Sequence, residues 1–177
     1  MISNKKYKVI YADPPWEYSD KAKGFGGAES HYRTMAIEDL ILLPVEEIAE
    51  RDSILFLWAT FPKLNEALDL IDGWGFNYKT LGFNWVKTNK KKPATLFWGL
   101  GHYTRSNPEI CLIATKGKGV RPINKGIHSV LLAPLEGHSK KPDITRDKIV
   151  KLVGPISRIE LFARKKVEGW DSWGDQI

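Results

Sequence analysis

Asp13 and Pro14 place two hydrogen-bond acceptors on adjacent residues, within the stretch "YADPPWEY" (11–18). Proline has no N–H and a fixed φ, so Pro14 and Pro15 end the strand that leads into them and hold a stiff, extended corner. Neither proline donates to the Asp13 carboxylate or the Pro14 carbonyl, which together match a donor with two hydrogens. The exocyclic amino group of adenine is such a donor, and Trp16 beside it can stack on the base. An aromatic amine is a poor nucleophile, because its lone pair is delocalised into the ring. Two acceptors favour a pyramidal nitrogen and stabilise the positive charge that builds as it attacks a methyl group. A carboxylate of pKa about 4 is too weak to deprotonate the neutral amine beforehand, yet it takes up the acidic proton once the methyl has moved. The same residues also make an ordinary solvated turn after a strand, so the surrounding chain decides between the two readings.

Six β-rich runs recur along the chain: 7–12, 53–59, 80–87, 109–115, 129–133 and 158–163. Several are apolar at nearly every position, as in strands covered on both faces. In "PKLNEALDLIDGWG" (62–75), Leu64, Ala67, Leu68 and Ile71 follow helical spacing, with Pro62 near the start and Gly73 expected past the end. "PDITRDKIVKLVG" (142–154) repeats that grammar from Pro142 to Gly154, and "AIEDLILLPVEEIAE" (36–50) reads as helix broken at Pro44. Strands alternating with helices predict an open α/β, mostly parallel sheet with helices on both faces. In such sheets ligands bind beyond the carboxyl ends of the strands, which is where Asp13 to Trp16 must lie. The long connections 16–35 and 88–108 are irregular, and Gly24, Gly26 and Gly27 give the first one freedom.

At 177 residues the chain is expected to form one domain, residues 1–177. Its 42% apolar and 27% charged residues are ordinary for a soluble protein, and no segment has the length and hydrophobicity of a signal peptide or membrane span. Cys111, the single cysteine, lies in the apolar run "EICLIAT" and reads as a buried small hydrophobe, which suits a reducing cytoplasm. His31, His102, His128 and His138 are scattered without metal-ligand spacing, so no metal is expected. A net charge of +6 and a pI near 9.3 favour a polyanionic partner. The lysines concentrate in "VKTNKKKP" (86–93), "KGKGVRPINKG" (116–126) and "HSKKP" (138–142), all turn-rich segments between apolar runs.

Further motifs accompany the corner: "YRTM" at 32–35, "WVKT" at 85–88, "RSNPEICLIATKG" at 105–117, "HSKKPD" at 138–143, "RIELFARK" at 158–165 and "WGDQI" at 173–177. With "DPPW" at 13–16 they resemble, in order and over nearly the whole chain, the DPPW adenine methyltransferases. That family includes the catalytic subunit of the eukaryotic messenger-RNA 6-methyladenosine writer and small bacterial and phage DNA enzymes. The resemblance implies a Rossmann-like S-adenosylmethionine-dependent methyltransferase fold with permuted motif order, the DPPW corner preceding the cofactor strand. It implies Asp13, Pro14, Pro15 and Trp16 as catalytic and base-holding residues, with Asp13 also close to the amino group of S-adenosylmethionine and Ala12 among the cofactor-binding residues. Lys141 would face the cofactor carboxylate. Glu160, Leu161, Phe162 and Arg164 would meet its ribose and adenine, and Asp175 and Gln176 would close over the ribose. The family often has Asn where this chain has Asp175.

Trp58, Trp74 and Trp85 lie in or beside regular elements and are expected in the core, whereas Trp170 and Trp173 are expected to pin the tail that carries Asp175 and Gln176. Lys165 and Lys166 read as a solvated charge run, and His138 as a surface residue. For nucleic acid, the candidates are Lys90, Lys91 and Lys92, for the phosphates, and Trp98, Tyr103 and Arg105, for bases. DNA is the expected substrate; RNA is the alternative, and a non-catalytic partner subunit is the third reading. With only loops to read sequence, a relaxed target and a second copy or partner chain to widen the footprint are expected.

Overall fold

In the computed structural model the apolar run Tyr7–Ala12 forms strand β1, near the middle of a sheet. Described residues are 2–18, 34–101, 103–137 and 139–177; His31, His102, His138, the three loop glycines and the first two residues of "YRTM" lie outside them. After β1 come α1 (Ile37–Ile41), α2 (Val45–Ile48), β2 (Ala49–Ala59), α3 (Leu64–Gly73), β3 (Asn77–Thr88), β4 (Glu109–Lys116), β5 (Val130–Pro134), α4 (Ile144–Val153), β6 (Arg158–Leu161) and β7 (Asp171–Trp173). The strands lie in the order β5-β3-β4-β2-β1-β6-β7. β4 runs antiparallel to both its neighbours, while β1 is parallel to β2 and β6, β3 to β5, and β6 to β7. The expected Rossmann-like, mostly parallel sheet is therefore present.

Residues of β1 alternate between two cores. Ile10 and Ala12 pack with Leu40 of α1, Val45 of α2 and Leu70 of α3, while Val9 and Tyr11 pack with Ile149 and Val153 of α4. Helices cover both faces, which is why β1 and β2 tolerate unbroken apolar runs. Trp58, Trp74 and Trp85 are fully buried, as expected. Their indole N–H groups donate to the Tyr11 hydroxyl (2.7 Å), the Leu40 carbonyl (2.8 Å) and the Ala133 carbonyl (2.9 Å), so burial leaves no orphaned donor.

Several boundaries differ from the expectations, and one strand was not expected. The run read as helix over 36–50 ends at Ile48, and β2 already begins at Ala49 rather than at 53, where the chain pairs with β1. Gly73 is the last residue of α3 rather than the stop; the left-handed residue is Gly75 (φ 75°), with Phe76 N–H donating to Ile71 and Gly75 N–H to Asp72 in a Schellman closure. β6 ends at Leu161 rather than Ala163, because Phe162 takes φ 60° and turns the chain out of the sheet. β7 carries too short a run to read from sequence; it is fixed by pairing Ile159–Leu161 with Asp171–Trp173.

Candidate active site

At the carboxyl ends of β1 and β6 lies a cavity of about 300 Å³. It is lined by Asp13, Pro14, Pro15 and Trp16 of the corner, by Glu109 and Lys141, and by Phe162, Arg164, Asp175 and Gln176 from the chain's last third. The corner is fastened on both sides: Trp16 N–H donates to the Pro14 carbonyl (2.9 Å), and Met35 N–H to the Pro15 carbonyl (2.9 Å). A carbonyl has two lone pairs, so Pro14 keeps one for an incoming donor.

Asp13 does not stand alone. The Lys141 ammonium lies 2.8 Å from one of its carboxylate oxygens and 3.2 Å from Glu109, whose other oxygen is 2.6 Å from the Lys87 ammonium. Asp13, Lys141, Glu109 and Lys87 thus form a row of alternating charge across the end of the sheet. It lies over two indoles, with Lys141 Nζ 5.8 Å from the Trp58 ring and Lys87 Nζ 5.2 Å from the Trp85 ring. The antiparallel sense of β4 makes this possible. Its first residue, Glu109, pairs with Trp85 near the end of β3 and so reaches the edge where β1 delivers Asp13.

Burial pushes the Asp13 carboxyl above the usual carboxylate range, and Lys141 offsets this only in part. Burial acts in the same sense on Glu109, but Lys141 and Lys87 outweigh it and hold that carboxyl below its ordinary value. For Lys141, burial opposes the charge, and Asp13 with Glu109 overrides it, keeping the ammonium protonated. Cys111 is buried, and burial pushes its thiol well up, so it is a core residue as expected.

Several expected site residues occupy other roles. Trp16 is only 5% exposed and donates its indole N–H to the Trp58 carbonyl (3.1 Å), so it wedges the corner against β2 rather than standing as an open stacking platform. Glu160 is turned to the opposite face of β6, where both its oxygens accept from Arg146 at 2.6 Å, and it does not line the cavity. Alternation explains this, since Ile159 and Leu161 pack into the core on the other face. Ala12 and Leu161 are buried core residues outside the lining. Lys141 meets two carboxylates of the protein itself.

Phe162 and Ser139, the non-glycine residues with left-handed backbone among those described, both line the cavity. Such conformations persist where the surroundings over-determine them. Phe162 packs edge-to-face on Trp173 (5.5 Å between centroids), and Ala163 N–H donates to the Trp173 carbonyl (3.0 Å). Gly174 follows, and a Cβ there would lie 2.4 Å from the Ala163 carbonyl oxygen, so only glycine lets the tail run this close and bring Asp175 and Gln176 to the cavity. Trp170, packed on Tyr11, and Trp173 pin that tail as expected.

The nucleic-acid candidates sit apart from the cavity lining. Lys90, Lys91 and Lys92 are exposed on a turn closed by Asn89 and Thr95, and Trp98 and Tyr103 are exposed on the segment after it. Arg105 uses its guanidinium to hold that segment, donating to the Gly99 and Trp98 carbonyls at 2.9 and 3.2 Å. Glu109 and Lys87 were not singled out from sequence, although the motifs "RSNPEICLIATKG" and "WVKT" contain them. A carboxylate opening an apolar strand directly after Asn-Pro was the available signal.

Comparison with known proteins agrees with this geometry. The MT-A70 family profile matches residues 7–176. The chain is 36% identical to the type II methyltransferase M.MunI of Mycoplasma sp, over 99% of this chain and 80% of that protein. It is 28% identical to the human N(6)-adenosine-methyltransferase catalytic subunit METTL3 and 29% identical to the Arabidopsis thaliana N(6)-adenosine-methyltransferase MT-A70-like, over 97% of this chain in each case. Of those longer proteins it spans 28% and 24%. With the DPPW corner, the cavity and the tail all falling inside the matched residues, the chain belongs to the MT-A70 family.

Proposed function

We propose that this MT-A70 methyltransferase transfers a methyl group from S-adenosylmethionine to the exocyclic amino group of adenine in DNA, as a single domain. The observation that carries the reading is the Asp13 carboxylate beside the Pro14 carbonyl at a cavity of ligand size, with a lysine opposite them. The donor set suits the cofactor: its amino acid end is a zwitterion, and Lys141 and Asp13 offer one charge of each sign to it. Asp175 and Gln176 would accept from ribose hydroxyls, with Phe162 and Arg164 beside them. Bound there, S-adenosylmethionine supplies an electrophilic methyl on its sulfonium.

The chain's own residues do the rest. Asp13 and Pro14 orient the two N–H groups of the amine, and Asp13 stabilises the positive charge that develops on nitrogen. Asp13 also takes the proton released after transfer. A base inside a duplex cannot reach this cavity, so it enters flipped out or from a single strand. Lys90, Lys91 and Lys92 would neutralise backbone phosphates, while Trp98, Tyr103 and Arg105 would meet bases, and a second copy or partner chain would extend that surface.

DNA is favoured over RNA because the type II methyltransferase relative is the more similar and shares most of its length with this chain. Resemblance to the N(6)-adenosine-methyltransferases supports RNA as the second reading. No described helix is long and apolar enough to cross a membrane; the cytoplasmic location we propose rests on the buried, unpaired Cys111, which suits a reducing compartment, and on a DNA substrate. Nucleoside analysis of plasmid DNA and total RNA from cells expressing the chain separates the readings. Methylated adenine in the plasmid is expected; methylation confined to RNA would overturn the DNA assignment.

A further inference from the structure

Lys87 lies far from the corner in sequence and does not line the cavity, yet it ends the charge row that begins at Asp13. Its mount is rigid. Asn107 brackets the Lys87 peptide, accepting from its N–H and donating to its carbonyl at 2.9 Å each, and Phe97 N–H donates to the same carbonyl (2.9 Å). The side chain, 16% exposed, rests over Trp85 and places its ammonium against one oxygen of Glu109 while Lys141 approaches the other.

The Lys141 ammonium therefore lies between two carboxylates. While it rests fully on Asp13, it occupies the acceptor the amine needs. Drawn toward Glu109, it leaves Asp13 more open and less stabilised as an anion. Lys87 competes with Lys141 for Glu109 and so limits that pull. We propose that Lys87 is a positioning residue that, through Glu109, sets how the Lys141 ammonium is shared between Glu109 and Asp13, and so how readily Asp13 receives the amine. This rests on the proposed role of Asp13. The charged and titratable groups around Asp13 are Lys141 from the turn before α4, Glu109 and Cys111 from β4, and Arg164 after β6; around Glu109 they are Lys141 and Lys87.

Carboxyl NMR titration of the unliganded protein tests the idea without requiring any methyl transfer. In Lys87→Met the Glu109 carboxyl should titrate at least about one pH unit higher than in the parent protein, because an opposite charge beside it is gone, and Asp13 should follow upward. Lys87→Arg, which keeps the charge, should restore both. Glu109→Gln should move Asp13 the other way, since the like charge is removed and Lys141 falls wholly to Asp13. The double variant Lys87→Met with Glu109→Gln should give Asp13 the same value as Glu109→Gln alone, because Lys87 acts only through Glu109. That comparison also stands if Lys87→Met by itself fails to fold, as the double variant leaves no unpaired carboxylate. An Asp13 value unmoved in folded Lys87→Met, or higher in the double variant than in Glu109→Gln, overturns the proposal. If the titrations shift as expected while the acid limb of kcat/KM stays fixed, the proposal on charge sharing holds and the proposed role of Asp13 fails.

Discussion

Lys141 and Asp13 are separated by 128 positions in the chain, and the ammonium of one lies within 2.9 Å of both carboxylate oxygens of the other. The pair joins the turn before α4 to the corner after β1 and gives the cavity mouth one charge of each sign. Lys141→Ala should weaken S-adenosylmethionine binding by about 1.5 to 3 kcal/mol, the worth of a charge-assisted hydrogen bond. Calorimetry on the free protein measures this, and unchanged affinity would remove Lys141 from the cofactor.

The same substitution has a pH signature. In the proposed mechanism Asp13 acts as the anion; burial raises its pKa and Lys141 lowers it, so activity should fall as pH drops through a value above the ordinary 3.8. Without Lys141 the opposing contribution is gone, and the acid limb at saturating cofactor should move further up, by about one unit or more. A limb that moves down would contradict the assignment.

Glu160 separates a structural role from a cofactor role. With Glu160 removed, Arg146 keeps only Asp143 (2.6 Å) as a carboxylate partner, so Glu160→Ala should cost about 1.5 to 3 kcal/mol in urea unfolding. Cofactor affinity of the folded fraction should stay the same. Weakened affinity with stability intact would restore Glu160 to the cofactor.

Gly174→Ala should do the reverse. The new Cβ meets the backbone of Ala163 at 2.4 and 2.6 Å, so the tail must lift, carrying Asp175 and Gln176 away. A fall in kcat/KM of about tenfold to a hundredfold is expected from such misplacement, with little change in the melting temperature. Unchanged kinetics would show that the tail contributes nothing to the cavity.

Replacing Lys90, Lys91 and Lys92 together by alanine should leave cofactor binding alone. It should flatten the salt dependence of DNA binding by about one unit of slope for each phosphate that is no longer neutralised. An unaltered slope would place that turn off the binding face.

Much of this architecture was legible as periodicity. Unbroken apolar runs marked β1 and β2 because both faces are covered, and helical spacing with Pro62 marked α3. The site was only half legible. Asp13 and Lys141 announce themselves through rare local motifs, but Glu109 and Lys87 gain their roles from the antiparallel sense of β4, which local spacing does not encode. Glu160 differs for a related reason: the resemblance implied a place at the cofactor, while strand alternation turned it toward Arg146, a residue of α4 that no motif linked to it. Trp16 carried both an aromatic face and an indole N–H, and the carbonyl of Trp58 decided which of them counts.

Whether Asp13 serves an amine rather than a turn is read out by nucleoside mass spectrometry. Purified protein would be incubated with S-adenosylmethionine and an adenine-containing DNA strand, alongside Asp13→Ala and Asp13→Asn. The expected product carries the methyl on the exocyclic amine, and both variants are expected to lose transfer while remaining folded, because Lys141 keeps Glu109 as a partner. Asparagine still accepts one hydrogen bond but has no charge to stabilise the developing cation. Methyl transfer by Asp13→Ala at the parent rate, or a methyl found on a ring nitrogen, would rule that role out for Asp13.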